Sequence, residues 1–331
     1  MFHNFLIRTR PLWCKMKTIK EYKRLKCSRM LTSKPTGQPI VMSGILTWLG
    51  LAPDPNANHD SNLVTTVKRG ILASQEGDLK RAQQILHLAL RQAHEMGDQA
   101  AVNHIYCILA DLAIEMNLFG EAERLYTDVM KRIITEGEPQ DSNAIVEMSL
   151  KLANIQAVRE EFKKAEIGFN FCVDSQKRKI EKLGPEVDED TLTLYGLALD
   201  RFAQFLASQS RLSEAESMFK TGVDVAKEVL GLNHDQTLVI QNSLATVLSM
   251  RGEYKKADEI LTTIIDIAEI VSCQHLPTFL VNRGVNNLLS GLSKNGEADC
   301  IKAKTIASAN NLSNIVEEAD DCIEKAKLIF Q

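Results

Sequence analysis

A short residue pattern recurs five times along this chain, and each copy predicts a turn followed by a helix. It consists of a small or polar residue, then an aromatic residue or leucine, and then an alanine three positions later. The five alanines are Ala82, Ala122, Ala165, Ala215 and Ala257. A large apolar residue follows each alanine four positions later: Leu86, Tyr126, Phe169, Phe219 and Leu261.

This spacing constrains how the helices pack. Residues at positions i and i+4 lie on one face of a helix, so the alanine allows a second helix to approach closely while the larger side chain fills the space beside it. Each copy therefore predicts a helical hairpin. A single hairpin cannot bury its apolar face alone, so five or six of them must stack in series.

Small residues also recur earlier in each unit, at the eighth repeat position: Gly70, Ala110, Ala153, Ala203 and Ala245. Together with the turn, the alanine and the bulky residue, they resemble the tetratricopeptide repeat. This resemblance implies an all-α, right-handed solenoid of five to six helical hairpins plus a C-terminal capping helix. The signature alanines are 40, 43, 50 and 42 residues apart, which exceeds the ~34 residues of the standard repeat and predicts longer helices or longer joins.

The C-terminal end of the array departs from the pattern. A sixth, degenerate unit is expected around Gly284, Ser293, Gly296 and Ala303, with glycine where alanine is expected and Cys300 at the bulky position. Glycine lowers helix propensity, so we expect this end to be the least stable. One apolar stripe follows and predicts the capping helix: Leu312, Ile315, Val316, Ala319, Ile323 and Ala326.

Four segments are predicted: a targeting peptide at 1–34, an apolar segment and linker at 35–61, the repeat array at 62–310 and the capping helix at 311–331. Prolines support the repeat boundaries, because Pro139, Pro185 and Pro277 each fall between predicted units, where a helix can end without losing an internal hydrogen bond.

The first 34 residues are strongly basic, with ten Lys or Arg and one acid, Glu21. This composition, with interspersed apolar residues and no long apolar run, is typical of a mitochondrial targeting peptide. Low serine content, more lysine than arginine, and Pro11 depart from that type. A basic tail or a nuclear signal is the alternative.

An apolar stretch, Ile40–Leu51, follows the basic leader. It is too short to cross a bilayer, which needs about 20 apolar residues. Trp48 within it suits a membrane interface, so we expect either a peripheral membrane contact or packing against the first repeat.

The seven cysteines show no paired spacing, so we expect reduced and mostly buried thiols in a reducing compartment. They are Cys14, Cys27, Cys107, Cys172, Cys273, Cys300 and Cys322.

No residue constellation points to catalysis. The sequence contains no glycine-rich phosphate loop, and the pairs His87/His94 and His104/Cys107 lack further metal ligands in sequence reach. We therefore predict neither an enzyme nor a bound metal or cofactor. The whole chain carries a net charge of −4 despite its basic leader, so the acidic array would repel nucleic acid.

The resemblance instead implies a peptide-binding groove lined by the first helix of each hairpin. Its second, fifth, sixth and ninth positions become His104, Asp111, Glu147, Lys151, Asn154, Asp200, Arg201, Gln204, Asn242 and Asn282. The lysine and asparagine cluster of chaperone-binding members is absent, which disfavours binding of a chaperone's acidic C-terminus. We expect Lys151 and Arg201 to be exposed on this wall.

Two branches of the family are similar to parts of the chain. Units four and five, with Gly231–His234 and Arg251–Tyr254, look like kinesin light chains, whose function would imply a cytosolic peptide-binding adaptor. The stretches Asp141–Ala153, Gly168–Cys172 and Leu46–Leu51 are more similar to mitochondrial members of the family. That resemblance implies a scaffold of the mitochondrial inner membrane that supports assembly and maintenance of respiratory complex III and the clearance of fragments of its Rieske iron–sulfur subunit.

Overall fold

The computed structural model describes residues 62–329, and every statement below concerns that part of the chain. The predicted targeting peptide, the Ile40–Leu51 segment, Cys14 and Cys27 lie outside the described residues.

Thirteen α-helices and one short 3₁₀ helix make up residues 62–329, and this range contains no β-strand. The first six helices are α1 Asn62–Gln75, α2 Leu79–Met96, α3 Gln99–Glu115, α4 Phe119–Thr135, α5 Asn143–Val158 and α6 Phe162–Leu183. The 3₁₀ helix Gly184–Glu186 follows. The remaining helices are α7 Glu189–Ser208, α8 Leu212–Leu230, α9 Asp235–Arg251, α10 Tyr254–Ile270, α11 Leu276–Ser290, α12 Ser293–Ala309 and α13 Ser313–Ile329.

Most of these helices pair into hairpins, and one final helix follows, as the repeat pattern predicts. The described chain divides into two compact units, one ending at Leu194 within α7 and the other beginning at Tyr195. The first unit contains the hairpins α1/α2, α3/α4 and α5/α6, and the second contains α8, the hairpins α9/α10 and α11/α12, and α13. Pro139 and Pro185 lie between hairpins as expected, whereas Pro277 lies in the first turn of α11, where a helix tolerates proline.

The recurring pattern ends each first helix in the same way. A residue in the left-handed region follows the helix, and the next backbone N–H reaches back to an earlier carbonyl, as from Leu118 to Ala113 at 2.8 Å. This bond satisfies a carbonyl that the helix end leaves free. Gly77 and Gly252 adopt the left-handed conformation without strain, while Glu160 adopts it at a φ of 62°.

The signature residues form the core, as predicted. All five alanines are fully inaccessible, and the bulky residues four positions later are at most 1% exposed. The small residues of the first helices are buried opposite them. The helices also approach closely at Gly168 of α6, where an added Cβ would lie 2.8 Å from the Cβ of Ala153 on α5.

Glycine replaces alanine in the sixth hairpin because its two helices approach closely through their backbones. A Cβ added at Gly296 would lie 2.7 Å from the carbonyl oxygen of Gly284. A Cβ added at Gly284 would overlap the sulfur of Cys300. The degenerate pattern therefore reflects a tighter contact and not a missing repeat.

The final helix, α13, packs on α11 and α12 as a cap. Its predicted stripe is only partly correct, because Ala319 and Ala326 are fully buried while Ile315, Val316 and Ile323 are half-buried. The residue of α13 that the stripe omitted is Cys322, which is fully buried and bonded to Cys300.

This disulfide corrects the expectation that all cysteines are reduced. Cys300 and Cys322 are 22 residues apart and lie on separate helices, so only the packing of α13 on α12 brings their sulfurs together. The expectation of reduced thiols is therefore wrong for this pair. Cys107, Cys172 and Cys273 are buried free thiols, as predicted. Burial raises the pKa of each of these three thiols to about 12.

Candidate functional site

In the first unit, the predicted wall residues lie on α3 and α5, the first helices of two successive hairpins. His104 and Asp111 belong to α3, and Glu147, Lys151 and Asn154 belong to α5. Both helices are covered on several sides, since each packs against its own partner and against the neighbouring hairpin. His104, Glu147 and Lys151 are therefore buried, while Asp111 and Asn154 are half-buried, and the buried charges must be paired within the protein.

An ionic network centred on the buried Lys151 joins the two helices, and its Asp111 carboxylate is 41% exposed. The ammonium of Lys151 lies 3.0 Å from the carboxylate of Asp111 and 3.3 Å from that of Glu147. The hydroxyl of Tyr126 donates to Oδ1 of Asp111, and the ammonium of Lys151 lies 5.5 Å from the centre of the Tyr126 ring. The sequence brings together four residues here that lie on three different helices.

The protonation equilibria of these groups follow from their burial and pairing. Burial lowers the pKa of Lys151, but the carboxylates of Asp111 and Glu147 outweigh it, so the pKa of this lysine lies above its usual value. Burial raises the pKa of Glu147 to about 7, although Lys151 opposes the shift. At neutral pH Lys151 is therefore protonated and positively charged, and the pKa of Glu147 lies close to the pH of the solution.

His104 lies one turn from Cys107 and close to the same network. It is 3% exposed, and neither ring nitrogen has a hydrogen-bond partner. Burial lowers the pKa of His104 to about 4, with Asp111 opposing this shift. The imidazole is thus neutral at physiological pH, and it fills space in the helix packing without presenting a charge.

Asn154 is the remaining predicted wall residue of the first unit. Its side-chain amide donates to the carbonyl of Leu150 on its own helix at 2.9 Å. It is half-buried. The structure does not link Asn154 directly to the Lys151 network by any recorded bond.

In the second unit, the predicted residues of α7 form a local polar cluster. The amide of Gln204 donates to Asp200 at 2.8 Å, and the guanidinium of Arg201 lies 3.4 Å from the Gln204 oxygen and 4.0 Å from Asp200. Burial raises the pKa of Asp200, with Arg201 opposing this shift. The contacts of the Arg201 guanidinium are longer than the hydrogen bond between Gln204 and Asp200, and the Arg201 side chain is 20% exposed.

Two asparagines connect the first helices of the next hairpins. The amide of Asn282 on α11 donates to the side-chain oxygen of Asn242 on α9 at 2.8 Å. Both are buried. One turn further along, the hydroxyl of Ser249 donates to Asn286 at 2.5 Å, and Asn286 donates to the backbone carbonyl of Tyr254. A polar ladder therefore runs between α9 and α11.

The exposure predicted for two of these charges is wrong. Lys151 is 7% exposed and Arg201 is half-buried. Neighbouring hairpins cover the first helices, and the pattern of a single helix does not show how much of each side chain they cover. A charge reversal at Lys151 would place three acids together in a buried site, so it would report on folding and not on partner binding.

Several partners of these residues were not found from the sequence. Tyr126 was identified as a core residue, but its bond to Asp111 was not. Arg132 donates to Asn103 at 2.7 Å, and Arg283 forms a bidentate pair with Asp299. The only sequence signal available was a polar residue at a position that the helical stripe marks as buried, as at Asn103 and Tyr126.

No group of three or more His, Cys, Asp or Glu side chains able to hold a metal occurs within residues 62–329. None of the helices in this range has both the length and the apolar character needed to span a membrane.

Comparison with known proteins gives a consistent result for fold and family. A tetratricopeptide repeat family model matches residues 190–270. BtubC from P. vanneervenii superposes with a TM-score of 0.57 at 16% identity, over 76% of this chain and 93% of that protein. A putative kinesin light chain repeat protein from Podosopora anserina superposes with a TM-score of 0.50 at 16% identity, over 63% and 96%. These two likenesses establish the helical-repeat fold alone.

Sequence relatives are more specific. Tetratricopeptide repeat protein 19 homolog, mitochondrial, from Drosophila melanogaster is 30% identical over 85% of this chain and 76% of the relative. Tetratricopeptide repeat protein 19, mitochondrial, from Danio rerio is 36% identical over 60% of this chain, a match that spans about half of that relative (51%). The human protein of the same name is 29% identical over 70% of this chain and 64% of its own length. The chain therefore belongs to the tetratricopeptide repeat protein 19 family.

Proposed function

We propose that this chain is a non-enzymatic scaffold of the mitochondrial inner membrane that supports respiratory complex III. Its role would include the clearance of Rieske iron–sulfur subunit fragments. The observation that carries this proposal is the similarity to relatives named mitochondrial along 85% of the chain. The stacked hairpins support it, because such arrays serve as binding surfaces for other proteins.

Localisation is tested through the basic leader. An import signal moves towards the negative side of an energised membrane, so reversing its charge opposes import. The variant carries four substitutions to glutamate: Arg8, Arg10, Lys15 and Lys17. We expect import into isolated mitochondria to be lost in this variant. Import equal to wild type would contradict the proposal and would favour a cytosolic adaptor.

The wall of the second unit offers the binding test, because the guanidinium of Arg201 is held by long contacts, 3.4 Å to Gln204 and 4.0 Å to Asp200, and its side chain is 20% exposed. Its substitution therefore disturbs fewer close contacts than substitution of Lys151, and the melting temperature of the variant is compared with that of wild type before binding is measured. Arg201→Glu places a second acid beside Asp200 and should repel an acidic partner surface. Lys255→Glu is the matched control, because Lys255 is exposed on α10, a second helix of a hairpin.

The assay is affinity capture of complex III from mitochondrial extract with the full chain, followed by detection of the Rieske subunit. We expect Arg201→Glu to reduce capture by roughly tenfold, as reversal of a charge in a complementary interface does. The effect should diminish with added salt, because exposed charges are screened within about 8 Å at physiological ionic strength. Undiminished capture by a folded Arg201→Glu variant would exclude the α7 wall, and no capture by the wild type would overturn the proposed partner.

A further inference from the structure

The cap helix α13 is attached to the array by an unusual combination of contacts. Its fully buried side chains are Ala319, Cys322 and Ala326, and all three are small. By contrast, α11 buries Phe279, Leu280 and Val281 almost completely. The larger apolar side chains Ile315, Val316 and Ile323 are only half-buried. Because stabilisation by burial follows the apolar area removed from water, each of them contributes less than a fully buried residue of α11 does.

Two links between α12 and α13 differ in strength. Lys304 and Asp320 form an ion pair at 2.6 Å, but both side chains are about half exposed, and such pairs contribute little. The other link is the Cys300–Cys322 disulfide, with both cysteines completely inaccessible. The disulfide is thus a covalent attachment between these two helices, added to their packing.

A glycine of α11 leaves room for this disulfide. Gly284 of α11 lies directly beside the Cys300 sulfur, and a side chain there would overlap that sulfur. A Cβ at Gly284 would also lie 3.4 Å from the sulfur of Cys322. The bridge therefore lies at the junction of α11, α12 and α13, and it holds the cap where the sixth hairpin is most closely packed.

We infer that Cys300 and Cys322 form a redox-sensitive clamp that keeps α13 closed over the sixth hairpin. Reduction by a dithiol breaks the sulfur–sulfur bond. The dithiol supplies two electrons and two protons, leaves as its own disulfide, and the protein retains two thiols. The chain segment Asn310–Leu312 would then be the remaining covalent link between α12 and α13, and α13 would open more often from α11 and α12.

Burial of both sulfurs also sets how the clamp responds. A thiolate attacks a disulfide along the sulfur–sulfur axis, and both sulfurs here are inaccessible. The bond is therefore open to attack only after α13 has moved locally. We expect dithiothreitol to reduce the folded protein at least about tenfold more slowly than the same protein in denaturant.

Hydrogen exchange with mass spectrometry on the full chain, purified without reductant, tests this inference. After reduction by dithiothreitol, the amides of α13 should exchange at least about tenfold faster, while those of α9 and α10 stay unchanged. Asp320→Asn is the matched control, because it removes the exposed ion pair and leaves the disulfide in place. This variant should exchange as the oxidised wild type does.

Three results would overturn the clamp. The first is two free thiols at Cys300 and Cys322 in protein purified without reductant. The second is unchanged exchange in α13 after complete reduction, which would mean that packing alone holds the cap. The third is equally faster exchange in α9 and α10, which would indicate that the whole second unit loosens and that no local release occurs.

Discussion

The close contact between α5 and α6 gives a quantitative test of the packing. Replacing a glycine by alanine in a helix interior normally stabilises the helix by about 1 kcal/mol. At Gly168 the new Cβ would lie 2.8 Å from the Cβ of Ala153, whereas carbon atoms pack at about 3.5–4.0 Å. The helices must separate to accept it, and overpacking of this kind costs about 1–3 kcal/mol. We expect Gly168→Ala to lower the stability by up to about 2 kcal/mol.

Gly222 is the matched control, because it also lies inside the second helix of a hairpin. An added Cβ there would meet Leu199 at 3.7 Å and Ile240 at 3.8 Å, which are ordinary contacts. Gly222→Ala should therefore gain the helix-propensity benefit of about 1 kcal/mol without an overpacking cost. The two variants should differ by about 1–3 kcal/mol in the free energy of unfolding.

Urea unfolding followed by circular dichroism measures this difference, and hydrogen exchange shows whether the loss lies in α5 and α6. The double variant Ala153→Gly with Gly168→Ala moves the methyl group to the opposite helix and should recover most of the stability. A Gly168→Ala protein that is about 1 kcal/mol more stable than wild type would refute the reasoning, because α5 and α6 would then have room for a methyl group.

Three further outcomes are expected. Ala165→Leu should destabilise the protein by about 1–3 kcal/mol or more in a thermal melt, because Ala165 is fully buried between helices, and an unchanged melt would mean that the repeat register is misplaced. Lys151→Met should cost about 1–3 kcal/mol in urea unfolding, since it leaves the buried carboxylate of Glu147 without its cation while Asp111 stays partly solvated, and adding Glu147→Gln should restore part of the loss. For His104, whose pKa falls from 6.5 to about 4 on folding, burial contributes stability above pH 6.5 that is lost as the pH falls towards 4. Glu147, with a raised pKa, changes the stability in the opposite direction, so the stability of wild type alone does not report on His104. The quantity to measure is the stability of His104→Leu relative to wild type, which should improve from pH 7 to pH 5. A difference that does not change with pH would contradict the assignment.

Much of the fold followed from local sequence. The alanine, with a bulky residue four positions later, reports which face of a helix is buried, and that information lies within one or two helical turns. Hence five hairpins, their turns and the buried signature residues were predictable. The position of the sixth hairpin was predictable, but the reason for its glycines was not. Gly284 and Gly296 allow a closer approach of the two helices and do not indicate a weakened repeat.

The candidate site was less predictable. The resemblance identified which positions of the first helices belong to the wall, but it placed Lys151 and Arg201 in solvent. Lys151 is instead buried between helices. Its partner Asp111 lies 40 residues earlier, on the first helix of the preceding hairpin. The burial of a wall residue depends on how two hairpins stack. The periodicity within one helix carries no information about that stacking.

The sequence alone thus determined the helical-repeat class, the hairpin order and the core face of each helix, because these depend on contacts between residues a few positions apart. Only the tertiary structure decided which charges meet and which cysteines bond. The pairs Lys151–Asp111, Asn242–Asn282 and Cys300–Cys322 each join separate helices. Their geometry is fixed by the packing of whole helices against one another, and that packing is set by the sum of many small contacts and by no local motif.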